Sequence, residues 1–539
     1  MAVDIRGMVE SARVWLAQDP DPDTRAELEG LLRDGDDGAL RERFDGRLEF
    51  GTAGLRGALG AGPQRMNRVT VMRAAAGLCH WLGPGKTVVI GYDARHKSDV
   101  FARDTADVAT GAGLRALLLP RPLPTPVLAY AIRYLGADAG VMVTASHNPP
   151  EDNGYKVYVG DGSQIIPPAD AEISAAIDAV GPVNELPLGD GGEVLGEEIV
   201  QAYLAALSRL PLGDARDVAT AYTPLHGVGR DIALAAFAHT GFPAPAVVAE
   251  QAEPDPDFPT VAFPNPEEPG AMDLAMALGA RTGADLVIAN DPDADRCAVA
   301  VPGGRRLSGD ELGGLLAEHV LARTTGADRL IATTIVSSSL LARIAAAHGV
   351  RYAETLTGFK WLARAGGPGD RLVYAYEEAL GYCVGGDEGP PVRDKDGIGA
   401  ALAVAGMAAA AKRAGRTLLD LLDDQARRYG VHATRQVSIR VTDLSRIADA
   451  MAHLRATPPT AFGDIPVHEV DDLLPHADVL RYRLAGETRV IIRPSGTEPK
   501  IKAYLEAVEP PEDDVAASRS HAESRLDALS KAVTDTIGL

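Results

Sequence analysis

Three carboxylates stand at alternating positions in the stretch LVIANDPDADR, as Asp291, Asp293 and Asp295. In an extended loop, a spacing of two residues places side chains on the same side of the chain. Carboxylates held this close repel one another unless a cation lies between them, and their hard oxygen atoms suit Mg²⁺. The stretch therefore predicts a magnesium site after an apolar strand, with a solvated acidic turn as the plainer alternative.

The same stretch has a second chemical interpretation. A strand followed by Asp-x-Asp also introduces phosphohydrolases that use an aspartate as the nucleophile. Those enzymes carry Thr or Val two residues after the second Asp, where this chain has Asp295. The mismatch weakens the phosphohydrolase hypothesis, which stays open at this point.

A serine follows another apolar run, in VMVTASHNPPEDNGYKVY, residues 141–158. Ser146 falls at the predicted end of a strand, with His147 beside it. Polar residues are common where strands turn, so a reactive serine and a turn serine both fit the pattern. The surrounding residues do not form GxSxG, the signature of the hydrolase nucleophile elbow, which leaves an acyl-transfer role unsupported.

A cationic turn is predicted in RVIIRPSGTEPKIK, where a strand stops at Arg493. The residues of the tight turn are Ser495, Gly496 and Thr497. Hydroxyl groups, exposed backbone N–H groups and a guanidinium together suit an anion, because Arg binds phosphate through two parallel hydrogen bonds. The pattern predicts a phosphate-binding turn, and an ordinary Pro-Ser-Gly turn between strands fits the same residues.

Two shorter stretches carry groups that suit a sugar. YAYEEALGY runs from a predicted strand into Glu377 and Glu378, and a carboxylate accepts hydrogen bonds from two neighbouring sugar hydroxyls at once. Two glutamates that open a helix are also common, because the helix dipole favours acids there. TGFKW is a turn that carries Lys360.

The elements predicted around these residues indicate how distant segments meet. Short apolar runs such as KTVVIGYD (86–93) alternate with helical patterns, which predicts βαβ units with parallel strands. In such sheets, ligands bind outside the carboxyl ends of the strands, where Ser146 falls. The glycine-rich FGTAGLRG precedes the first unit, and its glycines allow close backbone approach to a ligand beside Arg56.

The fold class predicted from this pattern is α/β with a distinct last part. Three similar α/β units follow one another, and after about residue 431 alternating strands indicate an antiparallel sheet in an α+β domain. The predicted domains are residues 1–199, 200–303, 304–430 and 431–539.

Composition limits the class of partner. The chain has 539 residues, 46% of them hydrophobic and 24% charged, which is ordinary for a soluble globular protein. A formal net charge of −22 argues against nucleic acid or an anionic membrane as the main partner. The longest apolar run, residues 398–411, is too short to span a bilayer and its alanines suit a buried helix. Three scattered cysteines and an N-terminus without a signal-peptide pattern favour a cytoplasmic protein without disulfides or zinc.

Taken together, the stretches resemble one family. TASHNPPEDNGYK, DPDADR, TGFKW, EEALGY and RPSGTEPK, in this order, resemble the α-D-phosphohexomutase superfamily, and FGTAGLRG, GYDARHKS and SQIIPP look most like its phosphopentomutase-like phosphoglucomutase branch. The resemblance implies four domains around a central cleft and an isomerase that transfers a phosphoryl group within a sugar phosphate. It also implies Mg²⁺, a sugar bisphosphate as intermediate and activator, and a monomer or homodimer.

The resemblance further implies a role for each matching residue. Ser146 is expected to carry the phosphoryl group and, with Asp291, Asp293 and Asp295, to hold Mg²⁺. The groups expected around the transferred phosphoryl group are Arg56, His147, Lys156 and Arg296. The residues expected to bind the substrate are Thr357, Gly358, Lys360, Glu377, Glu378, Arg493, Ser495, Gly496 and Thr497.

One departure from the family bears on the substrate. Members that act on glucose and mannose phosphates commonly have Gly-Glu-x-Ser in the sugar loop, where this chain has Tyr376, Glu377, Glu378 and Ala379. A serine that could bond a sugar hydroxyl is missing. We expect a glucose 1-/6-phosphate mutase, with phosphopentomutase and phosphomannomutase as alternatives. An aspartyl phosphohydrolase and a non-catalytic sugar-phosphate sensor are the less favoured hypotheses.

Overall fold

The computed structural model describes residues 5–51, 54–441, 445–495 and 500–538. Within these ranges the named strands form four separate sheets, three of mixed direction and one antiparallel. The predicted fold class, three similar α/β domains followed by an α+β domain, is therefore confirmed. The predicted residues Gly496 and Thr497 lie outside the described ranges.

The first sheet has six strands. They are β1 (Leu55–Ala58), β2 (Thr87–Tyr92), β3 (Arg115–Leu118), β4 (Ala139–Val143), β5 (Asp152–Val159) and β6 (Glu193–Val194). Their order is β1-β5-β4-β2-β3-β6, and β5 runs antiparallel to both of its neighbours. The helices of this part are α1 (Ile5–Gln18), α2 (Pro22–Asp34), α3 (Asp37–Phe44), α4 (Arg68–Leu82), α5 (Ser98–Gly111), α6 (Thr125–Leu135) and α7 (Ala169–Asp178).

The end of the glycine-rich stretch belongs to a strand, β1, which the sequence analysis did not predict. β1 pairs with β5, and Gly54 just before it has φ +76°. A Cβ atom at Gly54 would lie 1.9 Å from the carbonyl oxygen of Tyr155. This glycine therefore allows close approach to the neighbouring backbone, a non-local contact that local pattern could not indicate.

The second sheet has five strands. They are β7 (Thr220–Thr223), β8 (Ala246–Val247), β9 (Leu286–Ala289), β10 (Ala298–Val301) and β11 (Arg305–Arg306). Their order is β11-β10-β9-β7-β8, so the sheet continues two residues beyond the boundary proposed at residue 304. The helices are α8 (Glu198–Leu207), α9 (Gly229–His239) and α10 (Asp273–Thr282).

The third sheet has four strands in the order β13-β12-β14-β15. They are β12 (Arg329–Thr334), β13 (Arg351–Thr355), β14 (Arg371–Glu377) and β15 (Gly381–Val384). The helices are α11 (Gly309–Leu321), α12 (Leu340–His348), α13 (Phe359–Leu362), α14 (Gly397–Arg413) and α15 (Leu418–Tyr429). Helix α14 is almost wholly buried, as the alanine-rich run at 398–411 predicted.

The fourth sheet is antiparallel throughout, with the order β16-β21-β20-β19-β18-β17. The strands are β16 (Val431–Arg440), β17 (Ala461–Phe462), β18 (Ile465–Asp472), β19 (Leu480–Leu484), β20 (Thr488–Pro494) and β21 (Lys500–Glu509). Helices α16 (Ser445–Ala456) and α17 (Val515–Ile537) belong to this part. No helix in the described ranges is both long and apolar enough to cross a membrane.

The first three sheets repeat one arrangement. From the antiparallel strand inward, their orders are β5-β4-β2-β3, β10-β9-β7-β8 and β15-β14-β12-β13. In each, the chain leaves a parallel strand through a short loop and returns antiparallel beside it. The loops are 144–151, 290–297 and 378–380. The three strand-end motifs found in the sequence therefore occupy equivalent positions in three domains.

Candidate active site

Ser146 lies in the first of these loops, directly after β4. It is 3% exposed and its φ is +54°, in the left-handed region. Its hydroxyl donates a hydrogen bond to Asp291 Oδ2 at 2.8 Å, and its Oγ lies 3.1 Å from His147 Nδ1. The serine side chain thus points from the first domain into the acidic loop of the second, which a serine that only completes a turn would not do.

The three aspartates of that acidic loop are buried, with exposures of 0, 0 and 1% for Asp291, Asp293 and Asp295. One oxygen atom from each carboxylate lies within 4.8 Å of the others. The alternative of a solvated acidic turn is therefore wrong. The strands on either side of the loop are themselves buried and hold it inside the molecule.

The oxygen atoms of this triad fit a magnesium ion. Among the described residues, Asp293 Oδ1 and Asp295 Oδ1 find no hydrogen-bond partner although both are buried. An unsatisfied buried carboxylate oxygen is costly, and a divalent cation would satisfy both. Mg²⁺ takes hard oxygen ligands and is usually held by a few carboxylates together with phosphate or water. The residues present therefore suit the predicted metal.

Two buried ammonium groups balance part of this negative charge. Lys156 Nζ on β5 donates to Asp293 Oδ2 at 2.8 Å and to Asp295 Oδ2 at 3.1 Å. Lys395 Nζ lies 3.3 Å from the same oxygen of Asp295. Burial acts to raise the pKa of Asp295, but the two ammonium groups hold it below its usual value. At Asp291 burial dominates, and with the neighbouring carboxylates it raises the pKa well above the usual range.

Lys395 is a site residue that the sequence reasoning missed. It precedes α14 and belongs to the third domain, yet its ammonium reaches the acidic loop of the second. Its charge also opposes the effect of burial on the pKa of Glu377. The sequence did hold a signal for this residue. The chain has only nine lysines, and this one stands in the polar segment RDKDG before an apolar helix.

His147 is held as a neutral imidazole. Burial lowers its pKa well below the usual value, and the guanidinium charges of Arg296 and Arg56 act in the same direction. Arg56 lies on β1 and donates to Asn148 Oδ1 at 3.2 Å, so it belongs to the same corner of the site. A neutral imidazole beside the Ser146 hydroxyl can accept a proton, whereas an imidazolium could not.

Arg296 closes the acidic loop. Its backbone N–H donates to Asp291 Oδ1 at 3.0 Å, and its Nη1 donates to Glu267 Oε2 at 3.1 Å. Its Nε lies 3.9 Å from Asp291 Oδ2, and in the part of the chain that the structure describes this buried atom has no hydrogen-bond partner. A guanidinium with an unused N–H beside Ser146 is well suited to an anion.

Of the predicted sugar-loop glutamates, Glu377 ends β14 and Glu378 begins the turn to β15. Glu378 Oε2 accepts hydrogen bonds from Ser337 Oγ at 3.1 Å and from Thr334 Oγ1 at 3.3 Å. Burial, and then the charge of Glu377, raise the pKa of Glu378 to about 7. The alternative that these acids open a helix is wrong, because the chain turns back into a strand after them.

The predicted phosphate-binding residues come from the third and fourth domains. Thr357 and Gly358 connect β13 to α13, and Thr357 Oγ1 is buried without a hydrogen-bond partner within the described ranges. Burial lowers the pKa of Lys360 to about 8, and the charge of Arg493 acts in the same direction. The charge of Asp170 acts in the opposite direction. Ser495 donates its backbone N–H to Lys500 O at 2.8 Å, closing the described end of the cationic turn.

The chain also matches the domain models of one protein family along most of its length. The descriptions are phosphoglucomutase/phosphomannomutase alpha/beta/alpha domain I at residues 47–182, domain II at 201–304 and domain III at 308–429. The C-terminal domain of the same family matches residues 437–518. All four domains thus occur in one chain and in order.

Individual proteins agree with these matches. The chain is 48% identical to the "Probable phosphomannomutase" of Haemophilus influenzae over 82% of this chain and 93% of that protein. It is 33% identical to the phosphopentomutase of Mus musculus over 99% of this chain and 95% of that protein. A phosphoglucomutase/phosphomannomutase family protein of Burkholderia thailandensis has the same fold, with a TM-score of 0.66 at 22% identity over 90% of this chain and 97% of that chain.

Three repeated α/β domains, an antiparallel fourth domain and a buried serine on an acidic triad define a phosphosugar mutase, an enzyme of the isomerase class. The chain belongs to the phosphoglucomutase/phosphomannomutase family. The expected enzyme class and family are therefore confirmed. The aspartyl phosphohydrolase and the non-catalytic sensor are not supported.

Proposed function

We propose that this enzyme moves a phosphoryl group between the 1 and 6 positions of glucose phosphate, with phosphorylated Ser146 as the donor and a sugar bisphosphate as the intermediate. The observation that carries the proposal is the 2.8 Å hydrogen bond from the Ser146 hydroxyl to Asp291, within the acidic triad. A metal ion held by the three carboxylates would lie beside Ser146 Oγ, where it would balance the charge of a phosphoryl group on that oxygen.

The residues around Ser146 supply positioning and charge, which are the main requirements of phosphoryl transfer. When Ser146 is phosphorylated, Arg56 and Arg296 would bind the oxygen atoms of the phosphoryl group. Lys156 would stay on the carboxylates Asp293 and Asp295, or exchange one of them for a phosphoryl oxygen.

The metal would be held by Asp291, Asp293 and Asp295, with an oxygen atom of the phosphorylated Ser146 as a further ligand. Bound there, Mg²⁺ neutralises the charge that develops on the transferring group. The three carboxylates supply the oxygen ligands for it, and their burial keeps water from competing for those positions.

Each transfer forms one P–O bond, breaks another and moves a proton at each of the two oxygen atoms. When a sugar hydroxyl attacks phosphorus, the P–O bond to the sugar forms and the bond to Ser146 Oγ breaks; the sugar hydroxyl loses its proton and Ser146 Oγ takes up one, so the protons balance. In the return step Ser146 Oγ attacks the other phosphate of the bisphosphate and loses its proton, the P–O bond to that sugar oxygen breaks, and the sugar oxygen takes up a proton. His147 Nδ1, neutral and 3.1 Å from Ser146 Oγ, is the group we assign to accept the Ser146 proton in the return step.

The third and fourth domains would hold the rest of the substrate. Glu377 and Glu378 would accept hydrogen bonds from sugar hydroxyls, while the set Thr357, Gly358, Lys360, Arg493, Ser495, Gly496 and Thr497 would bind the phosphate that is not transferred. Support for this division comes from the effect of the Arg493 charge, in the fourth domain, on the pKa of Lys360 in the third. A separate phosphate site lets the bisphosphate bind in either orientation.

Two other sugar phosphates are alternative substrates, and each is favoured by a particular observation. The relative that is 48% identical is named a phosphomannomutase, and the mouse relative is named a phosphopentomutase. The sugar loop of this chain has Ala379 where glucose- and mannose-type members commonly carry a serine, which favours a pentose. Mannose and pentose phosphates are therefore the second candidates.

Ser146→Ala tests the mechanism. We expect it to abolish interconversion of glucose 1- and 6-phosphates and to remove one phosphate from the mass of the intact protein after incubation with glucose 1,6-bisphosphate. Ser208→Ala, at an exposed helix end, is the matched control and should retain both properties. Full activity of Ser146→Ala, or net release of inorganic phosphate by the wild type, would contradict the mechanism.

A panel of kcat/KM values decides the substrate. The wild-type enzyme is assayed with Mg²⁺ and a trace of sugar bisphosphate on the 1-phosphates of glucose, mannose, ribose and deoxyribose. The proposal expects the highest kcat/KM for glucose 1-phosphate. A pentose phosphate in first place would replace glucose by the pentose alternative and leave the Ser146 mechanism unaffected.

Two further proposals concern the setting of the enzyme. A cytoplasmic location is supported by three free, buried thiols, Cys79, Cys297 and Cys383. Monomer or homodimer is the assembly we expect, and light scattering coupled to size-exclusion chromatography measures it.

A further inference from the structure

Arg95 lies beneath the serine loop and binds its backbone at four points. Its Nη1 donates to Pro149 O at 2.8 Å and to Asp152 O at 3.1 Å. Its Nη2 donates to Ser146 O at 2.8 Å and also to Asn148 O. Arg95 is only 4% exposed, and all four of its terminal N–H groups are thus used on the serine loop and on Asp152, the first residue of β5.

The other backbone group of Ser146 is held by a second path. Its N–H donates to Thr144 Oγ1 at 2.8 Å, and Thr144 Oγ1 donates to Asp93 Oδ2 at 2.6 Å. Asp93 also accepts from Ser98 Oγ at 2.7 Å and from the backbone N–H of Arg95 at 3.0 Å. Asp93 therefore holds the N–H of Ser146 through Thr144, while the neighbouring Arg95 holds its C=O, and both residues are buried.

Ser146 needs such a hold because its backbone is strained. Its φ of +54° lies in the left-handed region, which is unfavourable for a residue with a Cβ atom. A conformation of this kind persists only where surrounding contacts over-determine it. The strained backbone is also what aims Ser146 Oγ at Asp291, 2.8 Å away.

The second domain covers Arg95 from the opposite side. The guanidinium carbon of Arg95 lies 4.9 Å from the ring centroid of Phe258, which is 2% exposed. Phe258 lies in the loop before α10, in the domain that also carries Asp291. The group that holds the serine loop is thus packed against the domain that supplies the metal ligands.

We infer that Arg95 is a positioning residue for phosphoryl transfer: with Asp93 and Thr144 it holds Ser146 in the left-handed conformation that aims its Oγ at the acidic triad. Arg95 binds backbone carbonyl oxygens, that of Ser146 among them, and acts on the serine through the loop. Lysine cannot replace it, because an ammonium offers three donors from one point where the guanidinium fork reaches four carbonyls. The inference rests on the proposed role of Ser146.

The test compares Arg95→Lys with the wild type in two measurements. We expect kcat to fall about 100-fold, the usual consequence of misplacing a reacting group by about 1 Å, while KM changes little. We also expect the rate at which glucose 1,6-bisphosphate phosphorylates Ser146, followed by intact mass in a single turnover, to fall by the same factor. Arg103→Lys, an exposed arginine on α5, is the matched control and should change neither.

A second variant guards against loss of folding in the first. Thr144→Val removes only the hydroxyl that accepts from the N–H of Ser146, and we expect the same fall in kcat and in phosphorylation rate. Both rates are expressed per folded molecule, measured by thermal unfolding. If Arg95→Lys does not fold, Thr144→Val decides alone.

The outcomes separate this inference from the function beneath it. Wild-type enzyme that neither interconverts sugar phosphates nor becomes phosphorylated on Ser146 refutes the proposed function. An active wild type, together with variants that phosphorylate Ser146 at the wild-type rate per folded molecule, overturns the positioning role alone. A purely structural role gives that second result, because it changes the amount of folded enzyme and not its rate.

Discussion

The two halves of the site are built differently. Around Ser146 the groups are buried and bonded to each other directly, as in the contacts of Ser146 with Asp291 and of Lys156 with Asp293 and Asp295. On the sugar side, Lys360, Arg493 and Ser495 are only partly buried. In the proposed mechanism the first group, the transfer half, handles the phosphoryl group, and its side chains are bonded to one another. The second group, the recognition half, binds the rest of the sugar phosphate, and these three residues are half-buried.

The contrast also concerns how the domains are joined. The transfer half depends on contacts between the first and second domains, such as Thr125 N–H with Asp293 O at 2.9 Å. The recognition half depends on the fourth domain, whose Glu506 accepts from Ser338 Oγ at 2.7 Å in the third. Such a division suits a reaction that needs one fixed transfer geometry and a substrate that binds in two orientations.

The largest expected effect comes from removing the metal. Chelation should lower kcat about 1,000-fold or more, because several kcal/mol of charge stabilisation are lost at the transfer half. Adding Mg²⁺ back should restore the activity. Activity that survives exhaustive chelation would show that the acidic triad of Asp291, Asp293 and Asp295 does not act through a cation. The proposed difference between the two halves would then be wrong.

The next effect is on stability, at Lys395. Lys395→Met should lower the free energy of unfolding by about 3 to 5 kcal/mol, because it leaves the buried carboxylate of Asp295 with one ammonium partner fewer. Lys412→Met removes an exposed pair with Asp285 and should cost much less stability, because water screens exposed charges. Urea unfolding measures both, and equal losses would mean that the charges of the transfer half are not finely balanced.

The sugar side predicts a pH dependence at Glu378. Because the pKa of Glu378 is raised from 4.5 to about 7, the folded state binds its proton more tightly than the unfolded chain, and stability falls as the pH rises through this window. Between about pH 5 and 8, the wild type should lose up to about 3 kcal/mol that Glu378→Gln keeps.

Unfolding free energies at the two pH values measure the difference between Glu378→Gln and the wild type. Glu388→Gln, whose side chain is 84% exposed, is the control and should follow the wild type. The same slope for all three proteins would mean that Glu378 is ionised in the folded enzyme throughout this range.

The smallest effect is expected at Arg493. Arg493→Gln should raise KM about thirtyfold with little change in kcat, since a charge-assisted hydrogen bond to the phosphate that is not transferred is worth about 2 kcal/mol. Arg483→Gln, on the neighbouring β19 and paired with Glu469, should leave KM unchanged. A fall in kcat at unchanged KM would instead make Arg493 part of the transfer half, and the two halves of the site would no longer differ in role.

Local pattern explains what could be predicted. The triad at Asp291, Asp293 and Asp295, the serine at 146 and the glutamates at 377 and 378 each follow an apolar run, and strand ends are where α/β sheets place ligands. Strand β1 was missed because its partner lies about a hundred residues away in β5, and pairing at that distance leaves no local periodicity.

Lys395 and Arg95 show the other limit. Lys395 belongs to the third domain and acts on a carboxylate of the second, while Arg95 stands in the quoted motif GYDARHKS without any local sign of its four carbonyl partners. Backbone acceptors carry no residue identity. A residue that binds backbone carbonyls therefore cannot be recognised from a single sequence.

The sequence by itself determined the chemistry and its order along the chain: three strand-end loops bearing a serine, three aspartates and two glutamates, then a cationic turn. The tertiary structure alone decided which of these groups meet. It placed Ser146 against Asp291 and Lys395 beside Asp295, and it left Lys360, Arg493 and Ser495 half-buried. The reason is that side-chain type and period are local properties, whereas distance, burial and charge balance arise only when separate domains pack together.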